Sequence, residues 1–453
     1  MQKRYGGVWS YIAGAAAART GDEMSGPALL LAGLAATGSA ATASALLAAV
    51  TAAAALGGPV FGVLLDRSPR PGRLLTATLA GYAAALGAIL ATLGRTPIAV
   101  TLLIALTAGL AGPALTGGWT SQLPRVVAPS DLPRATTYDA MTFNLAALTG
   151  PALAGIVTTL AGARFAVTTA IVLICLALPA ARALPPAQAQ MPARTQVPRR
   201  HVPPPPTRAS PANRSHEPRE PSNLPAATRP HVPPKHSSAP SIGADLVAGF
   251  RAIVGSPSLA RATVASMLSC VGQGILLAGS PLLGERAFGS AAHGTTLLSL
   301  LAASALTTNA LLARRPHALR PETVIRYSTL ILTGALLLAA TAHPIPLIAA
   351  MLLAGTAEGP QLTALFTIRH REAPEGLRSR IFTTGASLKI TAFALGAALT
   401  GPLLTHSLTT ALATAALFQI LATLSLTERT QKPPAGTGPN PEPEPEHEPE
   451  RDR

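Results

Sequence analysis

The chain has 453 residues, of which 48% are hydrophobic and only 12% charged, with a formal net charge of +15. Soluble domains run to about 25% charged residues and a membrane-spanning helix needs about 20 mostly apolar ones, so the long uncharged stretches exclude a soluble enzyme and leave length for twelve spans. The lysines and arginines stand between apolar runs, where a bilayer surface rather than a nucleic acid accounts for the basic balance.

In chain order, the apolar windows predict spans near residues 8–34, 42–65, 74–93, 98–120, 137–160 and 165–181, then 258–282, 294–313, 324–342, 344–367, 382–403 and 406–426. The first follows Met-Gln-Lys-Arg and runs past the length of a signal-peptide core, so it reads as a retained span. Ala, Leu, Gly and Thr dominate, and small residues let helices approach closely in lipid. The even-numbered short loops hold Arg67, Arg70 and Arg73; Arg125 and Arg134; Arg314, Arg315, Arg320 and Arg326; and Arg369, Arg371, Arg378 and Arg380, against Arg95, Arg164 and Arg286 in the odd loops. That bias places the even loops and both termini in the cytoplasm of a plasma-membrane protein. Tyr5, Trp9, Tyr11, Trp119, Tyr138 and Tyr327 fall at the same span ends, where amphipathic rings anchor. Cys175 and Cys270 lie in apolar runs and read as small packing residues; two cysteines supply neither a disulfide framework nor a metal site, and no cofactor is expected.

Residues 182–240 hold 16 Pro, nine Lys or Arg and two acidic residues, a composition that cannot bury a core. This segment, with Pro203 to Pro206 as its polyproline stretch, reads as a solvated basic linker that touches anionic lipid. Residues 428–453 form an acidic tail of the same kind. The expected organisation is therefore a six-helix half over 1–181, the linker over 182–240, a second six-helix half over 241–427, and the tail.

The two halves resemble each other. Ala108-Gly-Leu-Ala-Gly-Pro-Ala-Leu-Thr116 in the fourth span recurs, with one residue added, as Ala354-Gly-Thr-Ala-Glu-Gly-Pro-Gln-Leu-Thr363 in the tenth. Ala147-Leu-Thr-Gly-Pro151 recurs as Ala398-Leu-Thr-Gly-Pro402, and Ala-Pro-x-x-Leu stands at both Ala128 and Ala373. Three matches in one order mark an internal repeat.

Between the second and third spans stands Gly62-Val-Leu-Leu-Asp66-Arg67-Ser-Pro-Arg70-Pro-Gly72-Arg73. Gly62 permits a close helix approach, and Asp66 can meet the positive end of a neighbouring helix. The string resembles the G-x-x-x-D-R-x-G-R-R signature of the major facilitator superfamily, with Pro69 and Pro71 in place of a Gly and an Arg. Arg19-Thr-Gly-Asp22-Glu23 in the first span and Gly150-Pro151-Ala-Leu-Ala-Gly155 in the fifth are similar to motifs of that superfamily's proton-dependent drug-export branch. The resemblance implies an all-α membrane fold of two pseudo-symmetric six-helix halves. It also implies, as in this superfamily generally, a small-molecule site between the halves near the bilayer midplane, a gating role for the loop motif, and a monomer.

Few ionisable residues lie inside spans. Arg19, Asp22 and Glu23 stand in the first, Glu358 in the tenth and Lys389 in the eleventh. A charge at mid-helix costs about 2.5–3.5 kcal/mol on insertion scales, so each should face a wet cavity or a partner. Asp22, Glu23 and Glu358 are the candidate proton carriers and Arg19 and Lys389 the candidate charge partners. A structural reading competes: Arg19 reaches Asp22 and Glu23 at i+3 and i+4, and Glu358 can pair with Lys389. Asp139 reads as an interfacial residue, and Asn144, Gln273 and Asn309 as helix–helix hydrogen-bonding groups.

No lysine is followed by Ser or Thr, so the phosphate-cradling G-x-x-x-x-G-K-[ST] loop is absent. His216-Glu217 and His447-Glu448 lack the second His of a zinc-protease motif. The expectation is a secondary transporter that exports small molecules against protons. Uptake or facilitated passage on the same frame is the alternative, and a non-transporting sensor or scaffold the further one.

Overall fold

The computed structural model describes residues 2–186, 242–290, 293–314 and 319–427. Residues 187–240 of the expected linker, the expected tail and Arg315 lie outside them. The order is α1 (Gln2–Thr37), α2 (Ala40–Arg67), α3 (Pro71–Thr92), α4 (Ile98–Gly109), a π-turn over Ala114–Gly118, α5 (Leu123–Val126), α6 (Leu132–Ala161), α7 (Ala163–Leu176) and α8 (Leu178–Arg182). There follow α9 (Ile242–Gly255), α10 (Pro257–Phe288), α11 (His293–Leu312), α12 (Pro321–Ala339), α13 (Pro344–Glu372), α14 (Arg378–His406) and α15 (Leu408–Ser425).

Among the described residues, 11 helical segments are long and apolar enough to cross a membrane. The twelfth is α1, 36 residues long. Its Arg19, Asp22 and Glu23 lower its apolarity, and it packs centrally in the first half against α2, α6 and α7. The protein is thus an all-α membrane fold of two six-helix halves. The helix α9, too short to span, precedes the second half and packs against α10, α14 and α2.

Local chemistry sets where the helices begin. The hydroxyls of Ser39, Ser256 and Ser407 cap α2, α10 and α15, accepting from the backbone N–H of Thr42, Leu259 and Thr410, and Pro71, Pro321 and Pro344 open α3, α12 and α13. Internal prolines interrupt α1, α2, α6, α10, α13 and α14 (Pro27, Pro59, Pro151, Pro281, Pro360 and Pro402). None interrupts α3, α7, α12 or α15. In lipid such breaks persist where neighbouring helices cover the freed backbone groups. The repeat carries the proline over but not the π-turn: Pro113 precedes that turn, whereas α13 stays helical past Pro360.

The halves meet tightly at the end that carries the arginine-rich loops. There α2 and the π-turn press on α14, backbone against backbone. A Cβ at Gly58 would stand 2.3 Å from the Thr383 carbonyl, one at Gly62 2.6 Å from Arg380 Cα, and one at Gly117 2.3 Å from the Phe382 carbonyl. Ser121, 2% exposed, places its hydroxyl 3.2 Å from that of Ser379 across the same seam. Gly62→Val is accordingly expected to disfavour this closed end by about 1–3 kcal/mol, the usual range for overpacking. In a Cys175→Ser/Cys270→Ser background it should speed thiol labelling of Ser121→Cys at least fivefold, and an unchanged rate would show that the seam does not hold this end shut.

Two expectations about aromatic residues are corrected. Trp9 and Tyr327 are exposed at 58% each, as anchoring rings should be, but Tyr11 is 1% and Trp119 0% exposed. Their rings stack at 5.8 Å inside the first half. Cys270 is buried as expected, whereas Cys175 is exposed.

Candidate functional site

The loop motif ties the halves together through Asp66. Its Oδ1 accepts the backbone N–H of Ser379 at 2.9 Å and its Oδ2 that of Arg380 at 3.1 Å, and Arg380 Nε lies 3.4 Å from Oδ2. The first turn of α14 follows Leu377, which supplies no side-chain cap. Asp66, from the other half, takes two of the unpaired N–H groups that every helix start leaves over and sets a negative charge at the positive end of α14. Within the motif, Gly62 seats α14 and Gly72 seats α8, where a Cβ would come 2.6 Å from the Ala181 carbonyl. Arg67, Arg70 and Arg73 are exposed.

Arg19 does not neutralise Asp22 and Glu23. Its guanidinium pairs with Asp139 of α6 at 3.0 Å, both side chains being essentially buried. Asp139 is therefore no interfacial residue. Arg19 Nη1 also donates to the Asp139 carbonyl at 3.0 Å and to the Thr142 hydroxyl, and Nη2 donates to the Thr120 hydroxyl at 2.8 Å. Thr120 in turn donates to Asp139 Oδ2 at 2.8 Å, and the Tyr11 hydroxyl stands 3.1 Å from Oδ1. Two opposite charges deep in a protein are tolerable only when paired and hydrogen-bonded on most sides, and this network meets that condition.

Asp22 turns the other way. The Tyr82 hydroxyl of α3 donates to its Oδ1 at 2.8 Å and lies 2.9 Å from the Ser25 hydroxyl. Asp22 is half-buried, and no cation lies within ion-pair distance of it among the described residues. Glu23 is exposed beside α6, where Gly150 makes room: a Cβ there would be 2.7 Å from that of Glu23. Pro151 interrupts α6 at this level, and Gly155, one turn on, faces open space.

In the second half Glu358 and Lys389 are half-buried. No ion pair joins them among the described residues, so the expected structural pair is not formed, although each acts electrostatically on Cys270. Asn309 accepts from Thr363 at 3.2 Å, joining α11 to α13. Asn144 leaves its amide nitrogen without an acceptor. No group of three or more His, Cys, Asp or Glu side chains gathers as a metal site among the described residues.

Between the halves lies a row of rings. Phe143 of α6 meets Phe366 of α13 at 5.4 Å, Phe366 meets Phe382 of α14 at 5.8 Å, and Phe382 meets His370 at 4.6 Å. Arg19 covers Phe143 at 3.7 Å, while Arg369 stands 5.8 Å from Phe382 at the other end of the row. This plug closes the arginine-rich end above the Asp66 tie.

With this geometry the comparisons agree. The Major Facilitator Superfamily model matches residues 11–399. The chain belongs to the major facilitator superfamily. Its fold is similar to that of the human organic anion transporter MFSD10 (16% identity, TM-score 0.66, covering 94% of this chain and 99% of that one). It is likewise similar to a bacterial homologue of the iron transporter ferroportin in its outward-facing state (15%, 0.68, 93% and 98%) and to the proton:xylose symporter XylE (10%, 0.66, 93% and 95%). No curated protein matches it in sequence. The chain is a membrane transporter and not an enzyme.

Sequence reasoning missed three residues, Tyr82, Arg369 and His370, and misread a fourth, Asp139. Tyr82 was legible as the one tyrosine inside the apolar run of the third span, and Asp139 as the one carboxylate at the head of the fifth. Arg369 and His370 carried no such signal. By their position at a loop they count as surface charges, yet they are 2% and 6% exposed.

Proposed function

We propose that this transporter is a proton-coupled exporter of small molecules, working as a monomer in the plasma membrane with its arginine-rich end and both termini in the cytoplasm. Arginine bias over short loops supports that orientation, and in it the structure is closed towards the cytoplasm. The three solved relatives carry different cargoes on one frame, so the frame does not choose the substrate. The reading rests on one observation: Asp139 occupies Arg19, which leaves the carboxylate of Asp22 in the membrane interior with a hydroxyl and, among the described residues, no counter-ion.

A carboxylate so placed binds a proton without breaking an ion pair. Loading it removes a charge from the interior, and releasing it restores one, so its protonation state can bias which end of the transporter is open. Glu23, on the adjacent face, and Glu358 in the second half are the further carriers. Lys389 lies near enough to modulate Glu358.

The test is accumulation of a panel of cationic, neutral and anionic dyes in efflux-deficient cells, with and without an uncoupler. The parent should lower accumulation of at least one dye, and the uncoupler should abolish the effect. Asp22→Asn should lose about tenfold in export rate, the scale of one general acid–base group's contribution or less. Parent-like export by Asp22→Asn, Glu23→Gln and Glu358→Gln under a pH gradient would overturn the coupling assignment. Accumulation that rises with the parent would reverse the direction.

A further inference from the structure

Arg369 occupies the last turn of α13, a position from which a basic side chain ordinarily turns to the terminal carbonyls or to water. It does neither. Side chains on a helix lean towards its N-terminus, and Arg369 follows that lean into the membrane: its guanidinium lies against Gly385, where a Cβ would stand 2.2 Å from Nη2. Gly385 is the eighth residue of α14, about 10 Å along the helix from its start. Only glycine leaves room for the head group there.

Among the described residues this inward guanidinium has no carboxylate within ion-pair distance, its acidic neighbour being the Cys270 thiol. Asp66 is taken by Ser379 and Arg380, Glu322 and Glu372 both pair with Arg371, and Glu358 is 11 residues back along α13, about 16 Å away along its axis. Both Nε and Nη2 of Arg369 are buried without an acceptor, as are both ring nitrogens of His370. Arg378 also stands close enough to act on His370. Arg19, at the far end of the same row of rings, is in the opposite condition, since Asp139 neutralises it. A buried cation with no counter-ion is expensive, and such a group marks a place where an anion is bound in part of the cycle.

The geometry points to Arg369, flanked by His370 and Phe382, as the binding site for the carboxylate of a small organic anion, reached when the cytoplasmic end opens. Nε and Nη2 form the one edge of a guanidinium that grips both oxygens of a carboxylate side-on. Phe382 and Phe366 supply an apolar wall for the body of the ligand. Opening of the closed end draws Phe382 away from Gly117 and Ala140 of the first half, against which it packs in this state, and bares the arginine to the water on that side. This assignment rests on the transporter reading and names its substrate class; its test reads binding alone, so the two can fail separately.

The experiment uses the full-length protein in phosphatidylcholine nanodiscs, with melting temperature followed against sodium benzoate, sodium phosphate and sodium chloride at equal ionic strength. Benzoate should raise the melting temperature by about 3 °C or more at saturation, with phosphate and chloride well below it. Arg369→Gln should abolish the benzoate shift while melting no lower than the parent without ligand, because it removes an unpaired charge. Arg369→Lys, which keeps charge but loses the fork, should weaken benzoate binding at least about fivefold. Arg164→Gln, at an exposed arginine of the opposite end, should change nothing. A benzoate shift that survives in Arg369→Gln and Arg369→Lys, or a ligand-free Arg369→Gln that melts far below the parent, would make Arg369 structural and overturn the site. Equal shifts with all three salts, or none with benzoate, would overturn the carboxylate assignment.

Discussion

Asp139→Ala is expected to destabilise the protein by about 3–5 kcal/mol, the cost of leaving one member of a buried ion pair without the other. Arg19 would keep the carbonyl of residue 139 and the hydroxyls of Thr120 and Thr142, but no negative charge. Tyr11 would lose a hydrogen-bond partner as well. Marginal stability makes a loss of that size visible as poor yield and a much lower melting temperature. Replacing both charges, as Arg19→Met with Asp139→Leu, should recover most of it, since apolar pairs of similar volume often match a buried ion pair. A single Asp139→Ala variant within about 1 kcal/mol of the parent would mean that the pair does not hold α1 to α6. The double variant also separates stability from transport: if it folds and still transports, the pair serves the scaffold and nothing more.

The second large effect is expected at Asp66. Asp66→Ala strands the N–H groups of Ser379 and Arg380 at the seam and removes the negative charge from the start of α14. Unsatisfied buried donors cost about 1–3 kcal/mol, so a loss near 2 kcal/mol would shift the balance between the closed and open states of the arginine-rich end about thirtyfold. Labelling of Ser121→Cys should accelerate accordingly, and transport should slow because the form closed at this end is depopulated. Asp66→Asn keeps one acceptor oxygen but sets an amide NH2 against the second backbone N–H. It should therefore fall between the parent and Asp66→Ala, and a phenotype as severe as that of Asp66→Ala would assign the effect to the charge and the paired acceptors together. Labelling of both variants at the parent's rate would show that the closed end is held by the glycine seam and the ring plug alone.

Much of this protein is legible in one dimension. Apolar windows separated by short arginine-bearing loops locate the membrane helices, and the strings around Pro113, Pro360, Pro151 and Pro402 reveal the duplication, because both depend only on spacing along the chain. The Gly62 to Arg73 motif resembles the superfamily's signature, and its Gly62 and Asp66 are the residues that seat and cap α14.

Which side chains meet inside the bilayer is another matter. In water, the polar face of a helix announces its outside. In lipid, a tail is as apolar as a leucine, so hydropathy does not distinguish a lipid-facing residue from one packed against another helix. The rotation of each helix about its axis decides that, and only the tertiary structure contains it. It turned Arg19 from its neighbours in sequence to Asp139, 120 residues away. It gave Asp22 to Tyr82, left Glu358 and Lys389 unjoined, and buried Tyr11 and Trp119 where interfacial rings were expected. At the end of α13 it drew Arg369 inward over Gly385, because a helix leans its side chains towards its own start and this helix starts on the opposite side of the membrane.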